Sequence, residues 1–230
     1  MKNRNKITLL ILLLILPPFI IFLSRHFFPS NYFFSSIYKI IFLLPLFFRF
    51  FIEKKTLKQS FAQNFSLERF KNNLWPMIIT GIVLAATYVS AFFIFKDALN
   101  LSLIATKLQG LISIDLSNLI FIGLYIVIFN SLLEEFFWRG FLFQELRNTV
   151  KPWLAYVLTG IAFSFHHVMF YYNWFNLPFF LVVTIGLILY AVIMNLLFER
   201  YKDLFSCWMV HAFVDVVQIF IAFSIFIHIK

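Results

Sequence analysis

The chain has 230 residues, 62% of them hydrophobic and only 13% charged, with 35 phenylalanines and a mean hydropathy of +0.91. That composition excludes a soluble globular domain, and at about 20 residues per crossing it has room for seven or eight membrane-spanning helices. The single cysteine, Cys207, excludes a disulfide framework and any multi-cysteine metal centre, while the net charge of +9 takes its meaning from where the lysines and arginines fall relative to the spans.

Residues 1–6 are short and basic and lead into the apolar run 7–23, which Pro17 and Pro18 interrupt. With no small-residue cleavage site before Arg25, the expectation is a retained, kinked helix rather than a signal peptide. A second span is expected at 32–52. Residues 53–73 are polar and basic, with Phe61, Phe65, Leu67 and Phe70 interleaved, which reads as a surface-lying amphipathic segment against lipid headgroups. A third span is expected at 74–95, then an interfacial helix or loop at 96–115, and a fourth span from 116 that runs through Asn130 into Glu134 and Glu135. The chain returns to an aqueous interface at 141–151, and Pro152 suits the start of a fifth span ending near Tyr171. A sixth is expected at 177–198, a short solvated turn at 199–203, and a seventh at 204–229. Trp75, Trp153 and Trp174 near these boundaries read as interfacial anchors.

Lysine and arginine accumulate on the cytoplasmic side of membrane proteins. With the N-terminus inside, that side holds Lys2, Arg4, Lys6, Arg49, Lys54, Lys55, Lys58, Arg69, Lys71, Arg139, Arg147, Lys151, Arg200 and Lys202; the other holds Arg25, Lys96, Lys107 and Lys230, with Lys39 left inside a span. The ratio of 14 to 4 favours about seven spans with the C-terminus outside. An eighth crossing within 96–115 would reverse the second half, and the polar content there argues against it. The fold class expected is all-α: one polytopic membrane bundle, with N-terminal helices and an amphipathic cytoplasmic segment in 1–115 and a helical core in 116–230.

Ionisable groups inside membrane segments persist mainly where they pair, line a cavity or do chemistry. On a helix Glu135 and Arg139 are four apart, share a face and can neutralise one another. Glu134 is rotated by about 100° from Glu135 and lacks that partner, which suits a general base acting on water. His166 and His167 lie in the fifth span, and His211 and Asp215, also four apart, in the seventh. If the three spans meet, Glu134, His167, His211 and Asp215 form one polar cluster. The plainer readings are a helix end snorkelling its charges to the interface and histidines that merely tie helices together.

Three ordered segments, Glu134-Glu135-Phe-Phe-Trp-Arg139, Phe163-Ser-Phe-His-His167 and His211-Ala-Phe-Val-Asp215, resemble the EExxxR, FxxxH and HxxxN/D motifs of the type II CAAX prenyl endopeptidases and their bacterial relatives, the CPBP or abortive-infection-like intramembrane proteases. The resemblance covers about 116–220. It implies that Glu134 and His167 activate a water for attack on a peptide bond, that His211 and Asp215 stabilise the oxyanion, and that Glu135 and Arg139 hold the site in shape. Asp215 stands where the prenyl endopeptidases have Asn; an ionised Asp cannot donate to an oxyanion, so it would be protonated, orient His211 or bind a metal. His166 leaves the second motif ambiguous by one residue, and the spacing from Phe163 favours His167. Glu134, His167 and His211 would suffice for a catalytic zinc with an open position, and a metal-free, glutamate-activated water would use the same residues.

The function expected is therefore an intramembrane endopeptidase acting on a membrane-associated or lipidated peptide or protein, in a bacterial cytoplasmic membrane, with no nucleic-acid partner. Peptide processing, bacteriocin self-immunity and release of a membrane-anchored regulator are all compatible roles. The alternatives are a non-catalytic scaffold or immunity protein of the same fold and, with less support, a proton or ion transporter, which the lack of paired Gly- or Pro-broken half-helices disfavours.

Overall fold

Apolar segments in a membrane must satisfy their backbone N–H and C=O groups internally, and helices do so. The computed structural model describes residues 3–27, 37–62, 64–112, 114–171 and 173–228, which are helical nearly throughout and contain no strand. In chain order the helices are α1 (Asn3–Phe27), α2 (37–52), α3 (Leu57–Ala62), α4 (Leu67–Phe95), α5 (Leu101–Ile112), α6 (Leu119–Arg147), α7 (Pro152–Tyr171), α8 (Leu177–Tyr201) and α9 (Leu204–His228).

Six of these, α1, α4, α6, α7, α8 and α9, are long and apolar enough to cross a membrane. The difference from the expected seven lies in α2. Residues 32–36 of the expected second span fall outside the described residues, and the remainder is broken into 3₁₀ turns (Ile37–Leu43), one α turn containing Pro45 (Leu44–Phe47) and a π turn (Phe48–Ile52). A proline lacks the N–H that a continuous helix would use at that point. The segment nonetheless packs one face along α6, with Phe42 against Phe137 at 5.0 Å and Phe48 against Phe141 at 5.0 Å between ring centroids, while Ile40, Phe47 and Phe51 face outward. Helix α5 has 12 residues, about 18 Å of helix, too short for a crossing.

The lipid-facing surface is apolar: Ile79, Ile82, Val83, Phe93 and Ile94 of α4 and Val182, Ile185, Leu189, Ile193 and Leu196 of α8 all point outward. With six such helices, the chain is an integral membrane protein. Its main core gathers Phe42, Phe137, Trp138, Phe141, Phe143, Phe163 and Phe198 around α6, and a smaller one packs α5 against Leu119, Ile122, Ile225 and Phe226 at the far end.

Polar residues of the connections seal the near end. The Asn64 carbonyl accepts from the Leu204 backbone N–H at 2.8 Å, and its side chain bridges the Gly140 carbonyl and Gln144. Phe61 and Phe65 stack on Phe136, so this part of the 53–73 segment is docked on the bundle as well as facing its surroundings. The turn at 199–203, expected to be solvated, is buried at its last residue. Asp203 caps α9 by accepting from the Ser206 backbone N–H and hydroxyl, and its other oxygen accepts from the Ser66 backbone N–H. A helix start buried against a second loop needs such a group, because its first N–H donors have no intrahelical partner.

Candidate active site

Helix α6 carries Glu134 and Glu135 on one α-helical stretch, Ser131–Phe137, set between two π turns, Ile126–Asn130 and Trp138–Phe143. Wide turns of this kind cost hydrogen-bond geometry and concentrate at functional sites. The turn at 138–143 leaves the Gly140 carbonyl to accept from Arg49 Nη2 at 2.6 Å and Asn64 Nδ2 at 2.9 Å. A Cβ at Gly140 would come within 2.7 Å of Leu204 and 3.0 Å of Asn64. Glycine is therefore what lets α9 and the 64–66 connection approach α6 just beyond Arg139.

The two carboxylates have different partners. Glu135 is fully buried, and its Oε1 accepts from Arg139 Nη1 at 2.9 Å and from His211 Nδ1 at 2.8 Å. The Arg139 guanidinium lies 4.4 Å over the Phe163 ring, a stacking suited to its weakly hydrated planar face. Phe163, the first residue of the second motif, is thus the surface on which the first motif's arginine rests. At the other end of this chain of contacts, His211 Nε2 faces Asp215 Oδ1 at 3.6 Å.

Glu134 points into a second group. Its Oε1 accepts from Asn130 Nδ2 at 2.8 Å and faces His166 Nε2 at 3.6 Å, while Oε2 faces His167 Nε2 at 3.6 Å. Adjacent residues on a helix diverge by about 100°, so the two imidazoles straddle the carboxylate, one to each oxygen. The Phe163 carbonyl accepts from His167 Nδ1 at 2.9 Å; since a carbonyl can only accept, neutral His167 keeps its lone pair on Nε2, aimed at Glu134. A gap of 3.6 Å exceeds a direct hydrogen bond and leaves both atoms able to share a third group. His166 is packed under Phe42 and Trp138 and is 4% exposed, whereas the His167 side chain is 25% exposed. Of the two, His167 is the one that an incoming molecule can reach.

All six residues singled out in the sequence, Glu134, Glu135, Arg139, His167, His211 and Asp215, meet between α6, α7 and α9. The pairing differs in one respect: His211 bonds to Glu135, so it joins the carboxylate paired with Arg139 and not the Glu134 group. Sequence reasoning did not assign Lys39 of α2 to the site, yet it is buried within electrostatic reach of Glu134 and Asp215; its signal was a basic residue stranded in an apolar run. Tyr190 of α8, 5.8 Å from His211 between ring centroids, carries no signal at all.

Among the described residues, the group with ligand-forming geometry is Glu134, His166 and His167, whose donor atoms lie within 4.8 Å of one another. One oxygen and two imidazole nitrogens are a usual catalytic zinc set, and each imidazole here lies 3.6 Å from one of the two Glu134 oxygens. By donor type the residues fit a zinc ion. The set differs from the expected one in holding His166 where His211 was anticipated.

At 1.5 Å of rise per residue, His211 lies about 10 Å in from the start of α9, and His167 about 22 Å in from the start of α7 and about 6 Å from its end, both within apolar spans. The sequence model described as type II CAAX prenyl endopeptidase Rce1-like matches residues 116–217, a stretch that contains every residue from Glu134 to Asp215. No curated protein and no solved structure matches the chain.

Proposed function

We propose that the protein is an intramembrane endopeptidase that hydrolyses a peptide bond of a membrane-associated protein or peptide, a reading that the match of residues 116–217 to the Rce1-like type II CAAX prenyl endopeptidase model supports. The observation that carries this reading is the pair of acceptor atoms, Glu134 Oε2 and His167 Nε2, facing each other at 3.6 Å inside a membrane bundle. A water shared by the two gives one proton to Glu134 as its oxygen bonds to the substrate carbonyl carbon. The carbonyl π pair moves onto oxygen, and that charge is met from the side of His211, which Asp215 orients. When the C–N bond breaks, the proton held by Glu134 passes to the leaving amine. Glu135 and Arg139 set the orientation of His211 and Phe163, so their part is structural.

Zinc, where bound by Glu134, His166 and His167, would supply a Lewis acid and a more acidic water. The 14 to 4 distribution of basic residues supports a cytoplasmic N-terminus and an external C-terminus, in a bacterial cytoplasmic membrane. A peptide anchored by lipid or by its own apolar segment would reach the site by the exposed edge of His167.

The test is product analysis. Purified protein in liposomes, incubated with internally quenched peptides on lipid or transmembrane anchors, should yield two fragments whose masses sum to the parent plus one water. Intact peptide after prolonged incubation across the pool contradicts the reading. Metal analysis of the same preparation, with and without chelator, decides whether zinc takes part.

A further inference from the structure

We propose that the Tyr190 hydroxyl is a catalytic hydrogen-bond donor to the carbonyl oxygen of the substrate as it becomes an oxyanion. Tyr190 lies on α8, a helix that carries none of the three motifs and presents most of its length to lipid. Its ring turns inward, 5.9 Å from Phe163 and 5.8 Å from His211 between centroids. Its hydroxyl oxygen is buried and has no hydrogen-bond partner among the described residues. Such burial is unfavourable, and a ring needed only for packing at this place would be better as phenylalanine. The hydroxyl also sits within electrostatic reach of Glu135, Arg139, Asp215 and Glu134, so it belongs to the charged centre by position.

The site has a reason to need this donor. His211 gives its Nδ1 hydrogen to Glu135, and its Nε2 faces Asp215, which accepts hydrogen bonds when ionised and does not donate them. Asn130 is committed to Glu134. Trp138 Nε1 is another buried neutral donor without a hydrogen-bond partner among the described residues, but its ring packs on Phe42, Phe163 and His166, whereas that of Tyr190 packs on Phe163 and His211. Tyr190 supplies a neutral O–H on a ring 5.8 Å from that of His211, the side on which the carbonyl oxygen is expected. Its proton remains on the phenol throughout: the oxyanion accepts a hydrogen bond from it, the water proton goes to Glu134, and the leaving amine takes that proton.

This assignment rests on the peptidase reading, and one experiment separates the two. Cleavage of a quenched, membrane-anchored peptide in liposomes is measured for wild type, Glu134→Gln, Tyr190→Phe and Tyr190→Leu, with thermal midpoints alongside. The expected result is a Tyr190→Phe protein with the wild-type midpoint and KM within about twofold of wild type, but with kcat lower by about a hundredfold, and Tyr190→Leu no more active. Tyr190→Phe at wild-type kcat with only Tyr190→Leu impaired makes the ring a packing element and overturns the assignment while leaving the peptidase reading standing. No cleavage by wild type, or equal cleavage by Glu134→Gln, overturns both.

Discussion

Glu134 and Glu135 are neighbours in sequence whose surroundings give them different chemistry. Glu135 is one corner of a buried triangle with Arg139 and His211. Removing one charge from such a set leaves the others unpaired in a low-dielectric interior, at a cost of about 3–5 kcal/mol. Arg139→Met should therefore lower stability by roughly that amount, seen as a fall in the thermal midpoint in detergent; an unchanged midpoint would show that the triangle is not holding the helices. The adjacent histidines separate in the same manner. His167, partly exposed, should behave as a catalytic group, and His167→Ala should reduce cleavage at least a hundredfold with little change in midpoint. His166→Ala removes a ring packed against Phe42 and Trp138, so it should lower the midpoint. If instead His167→Ala retains activity and His166→Ala alone abolishes it, the roles are reversed.

At the scale of the element, α6 and α2 decide the geometry. The π turn at 138–143 and Gly140 form a seam to which Arg49, Asn64 and Leu204 are fastened. A larger side chain at 140 must displace Leu204, which is fully buried. Gly140→Val should accordingly destabilise the protein by about 1–3 kcal/mol, measurable as a lower midpoint, and should reduce activity because the seam lies next to Arg139. Neutral behaviour of Gly140→Val would mean the seam yields freely. The broken form of α2 was not legible in the sequence. Hydropathy registers 32–52 as one apolar run, and neither Pro45 nor the internal Lys39 reveals that the segment threads along α6. The three site-bearing segments were legible for the opposite reason: ionisable residues stand out against apolar surroundings, and i, i+4 spacing fixes which of them share a face. What the spacing could not supply was contact across helices. His211 could be brought to the cluster by sequence reasoning, but its bond to Glu135 and not to Glu134 depends on how α9 is rotated against α6. Tyr190 enters through tertiary packing alone.

At the scale of the whole molecule, the connections place the start of α1 at the end where Lys6 pairs with Glu145, the end that also holds Asn64 and the start of α9. The α9 helix then runs to the other end. With the basic-residue bias, the account predicts that single cysteines introduced at positions 3 and 227 of a Cys207→Ala background are labelled by an impermeant thiol reagent from opposite faces of sealed vesicles. Labelling from one face at both positions would contradict the proposed orientation. The bundle buries the Glu134 carboxylate among apolar helices, where, on the proposed reading, a water is held and activated away from bulk solvent. The central claim, that Glu134 activates that water, is tested most directly by purified wild-type and Glu134→Gln protein in liposomes made with ¹⁸O-labelled water. Wild type should release a fragment whose new carboxylate carries the label, and folded Glu134→Gln should lose at least a hundredfold in kcat. Equal rates for the two proteins, or a product without the label, would contradict it.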